Sequence, residues 1–115
     1  LAVAVPITNV LLANVSVNPK ISSPNGDGIN DVISVDFDIT NIARPSLLVV
    51  DIFNLNGGLV RRLVKDQYMS GRFNEKWDGR DNDGHLVAPG HYPIVISLTA
   101  GTGKVTAIDI ARIAY

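Results

Sequence analysis

Between Ile33 and Thr40 apolar and polar side chains alternate without a break, with Ile33, Val35, Phe37 and Ile39 on one side and Ser34, Asp36, Asp38 and Thr40 on the other. A period of two marks a strand with one face buried. Leu47 to Phe53 is denser, yet Leu48, Val50 and Ile52 share a phase opposite Asp51. Asn56-Gly57-Gly58 then offers a turn into Leu59 to Val64, so the pair reads as a hairpin. Phe73, Glu75 and Trp77 open another strand. Tyr92, Ile94, Ile96 and Leu98 mark the next, and Val105 to Ile113 follows a Gly101-Thr102-Gly103 turn. No segment sustains a helical period. With one more strand near Leu11 to Val17, the count reaches about seven, which predicts an all-β antiparallel sandwich, a small barrel being the alternative. Pro93 has no N–H to give a ladder, so the pattern predicts a bulge there or a later strand start.

The N-terminus carries its own pattern. Leu1, Val3, Val5, Ile7, Leu11, Ala13, Val15 and Val17 all fall on odd positions, with Asn9 alone out of phase. At ~3.3 Å per residue such a register would reach roughly 56 Å, beyond any ordinary strand. Residues 1–12 are therefore set apart as an N-terminal β extension, and residues 13–115 form the sandwich domain. The extension is too apolar for a linker. As a strand donated to a neighbouring copy, Leu1, Val3, Val5 and Ile7 would enter an apolar groove, and head-to-tail repetition would build a fibre. A chain opening on Leu1 without a methionine further predicts a processed or excised product, a removed signal peptide being one route.

Composition narrows the classes of function. A chain of 115 residues with 46% apolar and 18% charged side chains fills one modest core. Ten basic and eleven acidic residues leave a net charge of −1, with no basic stripe for nucleic acid. Without cysteine there is neither disulfide nor thiolate metal site. No apolar run approaches the ~18 residues of a transmembrane span, because Pro6, Thr8, Asn9 and Asn14 interrupt the N-terminal stretch.

Two loops concentrate turn chemistry: SPNGDGIND from Ser23 to Asp31, and WDGRDNDG from Trp77 to Gly84. Those loops, with Ile52-Phe53-Asn54, Leu59-Val60-Arg61-Arg62-Leu63 and Val87-Ala88-Pro89-Gly90-His91-Tyr92 in that order, resemble the FlgD-type immunoglobulin-like domain. They are similar also to the gliding-motility-associated C-terminal domain. The resemblance runs from about Asn14 to the C-terminus and implies an immunoglobulin-like antiparallel β-sandwich. It further implies a bacterial extracellular or cell-surface setting and a non-catalytic role, as in hook-cap proteins, modules of secreted enzymes and adhesins, and sorting domains. Pro93 departs from the residue expected after the tyrosine, and residues 1–12 lie outside the pattern.

Candidate chemistry sits in the loops. Asn25, Asp27 and Asp31, and separately Asp78, Asp81 and Asp83, offer hard oxygen ligands for Ca²⁺. The competing reading makes them Asx turns that satisfy backbone N–H groups, with no cofactor required. Trp77 suits the sandwich core, as do Phe37 and Tyr92, although an exposed tryptophan would suit carbohydrate. Tyr92 also suits a tyrosine-corner contact. His85 and His91 read as solvated loop residues, and Arg61, Arg62, Lys65 and Asp66 as a charged outer strand face. No nucleophile, base and orienting group can be assembled, so an enzyme is not expected. The leading expectation is a self-associating filament subunit of the bacterial surface; the alternative is an accessory or sorting module beside neighbouring domains of a larger protein.

Overall fold

The alternation that starts at Ile33 becomes a strand, β3 (Ile33–Ile39), whose odd residues are buried and whose even residues are half-buried. In the computed structural model, which describes residues 12–26, 31–42, 44–100 and 103–115, it lies between β1 (Leu12–Asn18) and β6 (Gly71–Trp77). Leu1, Val3, Val5, Ile7 and Asp27 lie outside the described residues. A second sheet runs in the order β2 (Ile21–Ser22), β8 (Gly103–Ile113), β7 (Gly90–Ala100), β4 (Ser46–Phe53) and β5 (Leu59–Tyr68). All pairs are antiparallel except β2 with β8. The seven strands expected of the sandwich are present, and β2 is an additional short one; all but Leu12 of the expected N-terminal extension lies outside the described residues. The facing edges β5 and β6 do not bond to each other, so the sheets stack as an immunoglobulin-like sandwich and do not close into a barrel. Among the described residues no helix is long and apolar enough to cross a membrane.

Between the sheets lie Trp77, Phe37, Ile33, Leu48, Ile94 and Ile96, each at most 1% exposed. Register explains the layering: Phe37 stands opposite Phe73, Ile33 opposite Trp77, and Val50 opposite Ile96.

Three local features depart from simple alternation. In β1 the pairing slips between Ala13 and Ser16, and Asn14 takes φ 54°. The slip moves Leu12 to the core side with Val15 and Val17, so the odd-phase register does not continue through β1. In β4 a slip between Val50 and Asp51 sets Arg62 opposite Asp51. Arg62 donates through Nε and Nη2 to the two Asp51 carboxylate oxygens, at 2.8 and 2.9 Å. Arg62 is thus more than part of a charged strand face: it pairs a carboxylate whose residue is 7% exposed. At Pro93 neither a bulge nor a late start occurs, and the β7–β8 register runs unbroken from Gly90 to Ala100. Arg112 and Ala114 direct their N–H groups toward Lys20 and Ser22, so the odd residues of β8 face β7 and the Pro93 nitrogen points the other way. On that side the β4–β7 pairing ends at Ile52 with Ile94, one residue short of Pro93, so the proline nitrogen sits just past the end of that ladder.

The registers also define two poles. Leu12, Ile39 and Gly71 are level at one, where β1 begins; Asn18, Ser34 and Lys76 are level near the other. The second pole gathers residues 23–26, 54–58 and 78–89 and the C-terminal Tyr115. Replacing Ile94, fully buried on β7, by alanine is expected to cost about 2–5 kcal/mol. Ile108→Ala, on the outward face of β8 at 64% exposure, should stay within about 0.5 kcal/mol. Urea denaturation of both variants checks the assignment of faces, since equal losses would reverse it.

Candidate functional site

At the second pole a chain of polar contacts starts from a core residue. Trp77 is fully buried at the end of β6 and meets Tyr92 edge to face at 5.5 Å. Its Nε1 donates to the Arg80 carbonyl at 2.9 Å, which folds residues 77–80 back over the core. Asp81 then builds the next turn: its Oδ1 accepts the backbone N–H groups of Asp83 and His85, both at 2.9 Å, and Gly84 N donates to its carbonyl. Asn82 reaches the edge of the neighbouring sheet, where its N–H donates to the Val60 carbonyl and its Oδ1 accepts the Arg62 N–H, both at 3.0 Å. It therefore satisfies two outer backbone groups of β5, at Val60 and Arg62, as an added strand would. Asn54 Oδ1 closes the β4–β5 turn by accepting from Asn56 and Gly58 at 2.9 Å. The Tyr92 hydroxyl donates to Ala88 O at 2.5 Å, and Tyr115 binds Val87 O at 2.8 Å.

The two signature loops touch. A Cβ on Gly79, whose φ is +78°, would lie 2.6 Å from Pro24 Cγ. Only glycine permits both that backbone and that approach.

The described members of the two candidate ligand sets are placed as follows. Asn25 is exposed, and its N–H binds Ser23 O at 2.8 Å. Asp31 accepts the Gly26 N–H at 3.1 Å. Asp78 accepts from Arg80 N at 3.2 Å and from Arg61 Nη1 at 3.4 Å, apart from the other loop carboxylates. Asp81, Asp83 and His85 bring one ligand atom each within 4.8 Å of one another, beside a groove of about 490 Å³ that includes Leu59, Leu86 and Tyr92. An imidazole in that trio departs from the all-oxygen shell that calcium prefers, and Asp81 Oδ1 already receives two N–H bonds. Trp77 has no exposed ring face to offer a sugar. His91 belongs to β7 and not to a loop, although it is exposed. The Asx turn at Asn54 was missed, although the glycines of Asn56-Gly57-Gly58 signal a turn there; Asn82 carries no such signal, because its partner strand is 20 residues away.

Electrostatics follow the turn geometry. The His85 N–H, helped by Asp83 N–H, the His85 charge and Gly84, holds the Asp81 carboxyl below its ordinary value of 3.8 against the opposing effect of burial. Asp38 is lowered first by the Asn14 side-chain amide and then by Arg72.

Two sheets in this order, a tyrosine corner and a pole of Asx-stabilised loops define an immunoglobulin-like module. Residues 25–102 match the FlgD Ig-like domain, and the chain belongs to that family. No curated protein matches it. Among solved structures it resembles dimeric latent PorU from Porphyromonas gingivalis, with a TM-score of 0.64 and 15% sequence identity, a likeness of fold. The match covers 86% of this chain and 9% of that one.

Gly84→Ala, at φ +87° with open space around the added methyl, should cost about 1–2 kcal/mol. Gly79→Ala should cost more, because Pro24 must also move; thermal or urea denaturation showing equal losses would exclude the loop contact. The acid limb gives a second test. A carboxylate with a lowered folded pKa stabilises fully above its unfolded value, about 3.9, and loses that contribution as pH falls through the folded value. Melting temperature should therefore drop below about pH 4. Asp81→Asn keeps the acceptor oxygen and should flatten that drop, whereas Asp81→Ala should lower stability at every pH.

Proposed function

We propose that the chain is a non-catalytic connecting module of a larger bacterial surface or secreted protein. The observation that carries this reading is the placement of its first and last described strands: β1 begins at one pole and β8 finishes at the other. A unit so built passes the chain through itself and spaces whatever lies on either side. Further support comes from how the family's signature residues are used. Trp77, Asp81, Asn54 and Tyr92 each bind backbone of the domain itself and so hold its loops. Membership of the FlgD Ig-like family and the small share of the PorU chain that this fold accounts for agree with a modular role.

A second reading keeps the filament. Among the described residues the outer edge of β6 has no partner strand in its sheet, so an added strand has a template there, and Leu1, Val3, Val5 and Ile7 alternate as such a strand would. Light scattering and negative-stain microscopy of the intact chain separate the two. The connecting module predicts a monomer at all concentrations, and deletion of residues 1–8 should leave its melting temperature within a few degrees, because β1 starts at Leu12. Unbranched fibres that vanish on that deletion would replace the module reading with the filament.

A further inference from the structure

Beyond a connecting role, the outward face of the five-stranded sheet is not the polar surface that strand alternation ordinarily leaves to water. Leu47, Val49, Phe53 and Val95 floor a shallow depression of about 400 Å³. Ile108 and Ile110, 64% and 47% exposed, extend the apolar surface across β8, opposite Val95 and Pro93. Charge around the depression is predominantly positive. Arg62 and Lys65 line the depression from β5 and Lys104 lines it from β8, against Asp51 as the single lining carboxylate. Arg62 occupies both Asp51 oxygens. Among the described residues neither Lys65 nor Lys104 has a carboxylate within ion-pair distance.

The contrast with the other sheet shows that this is segregation and not composition. Asp36 and Asp38 on β3 stand opposite Asn74 and Arg72 on β6, and Arg72 Nε meets Asp38 Oδ1 at 3.0 Å, so charges there are interspersed and paired. Over the whole chain acids and bases nearly balance. An apolar floor with uncompensated cations at its rim is the complement of an apolar segment flanked by carboxylates.

We propose that this face docks an acidic polypeptide segment of a partner protein, with carboxylates against Lys65 and Lys104 and an aliphatic or aromatic side chain in the depression between them. Charge complementarity selects this occupant over a second copy of the same face, which would set lysines against lysines. Arg62, held by Asp51, forms one wall, and the Ser97 and Thr99 hydroxyls offer hydrogen bonds along the floor.

The test is a titration of the full chain, followed by the amide spectrum, with a short acetylated peptide of alternating Glu and Leu. Its Lys-Leu counterpart and phosphatidylglycerol vesicles are run in parallel. The Glu-Leu peptide should shift the amides of Leu47, Val49, Val95 and Ile108, and raising salt from about 0.05 to 0.5 M should weaken the response. The Lys65→Glu, Lys104→Glu double variant should lose about tenfold or more in affinity, while its free spectrum shows the fold retained. Equal response to the Lys-Leu peptide, shifts confined to other surfaces, indifference to the double variant, or preference for the vesicles would each overturn the proposal. So would shifts of the same amides on concentrating the chain alone, which would make a second copy the occupant.

Discussion

An indole buried without exposure must hand its N–H to a partner, and Trp77 hands it to the carbonyl of Arg80. The chain must then reverse within three residues of leaving β6, which is why Gly79 sits there with positive φ. The reversal delivers Asp81 to build the next turn and Asn82 to reach the edge of β5. It also sets Gly79 against Pro24, so the loop after β2 is placed by the loop after β6. Packing of one side chain thereby dictates the backbone path of a whole pole, and the polar residues that look like chemistry in the sequence follow as its supports.

The strands were legible because burial on one face imposes a period of two that needs no knowledge of partners, as from Ile33 to Ile39. What escaped were the slips. Asn14 and Asp51 mark places where a pairing shifts by one residue, and a shift is decided between two strands, not within one. The slip at Asp51 creates the Arg62 ion pair; in sequence Asp51 is simply the polar member of an alternating run. Pro93 looks like a defect in sequence for the same reason: whether a missing N–H matters depends on which neighbour it faces, and the β4–β7 pairing has already stopped at Ile52 and Ile94.

The loops divide in the same way. Asx turns at Asn54 and Asp81 are local, each closing within four residues, and their glycines announce them. The grouping of ligand types is not local. Asp78 turns toward Arg61 and Arg80, while His85 joins Asp81 and Asp83, so three carboxylates adjacent in sequence are not adjacent in role. Likewise the polarity of the outer sheet face is visible only once Lys65 and Lys104, from strands far apart in sequence, are seen to border the same surface.

The parallel contact between β2 and β8 has a mechanical meaning. β1 starts at one pole and β8 finishes at the other, so tension applied through these two strands would pull β1 and β2 one way and β8 the other, along the strands. The bonds from Arg112 N to Lys20 O and from Ala114 N to Ser22 O, each 2.9 Å, lie across that seam, as does the Lys20–Asp109 contact at 2.7 Å. Force in this direction loads them in shear, all together, whereas a hairpin pulled from its open end would unzip rung by rung. The smallest strand of the sandwich is thus its latch under load.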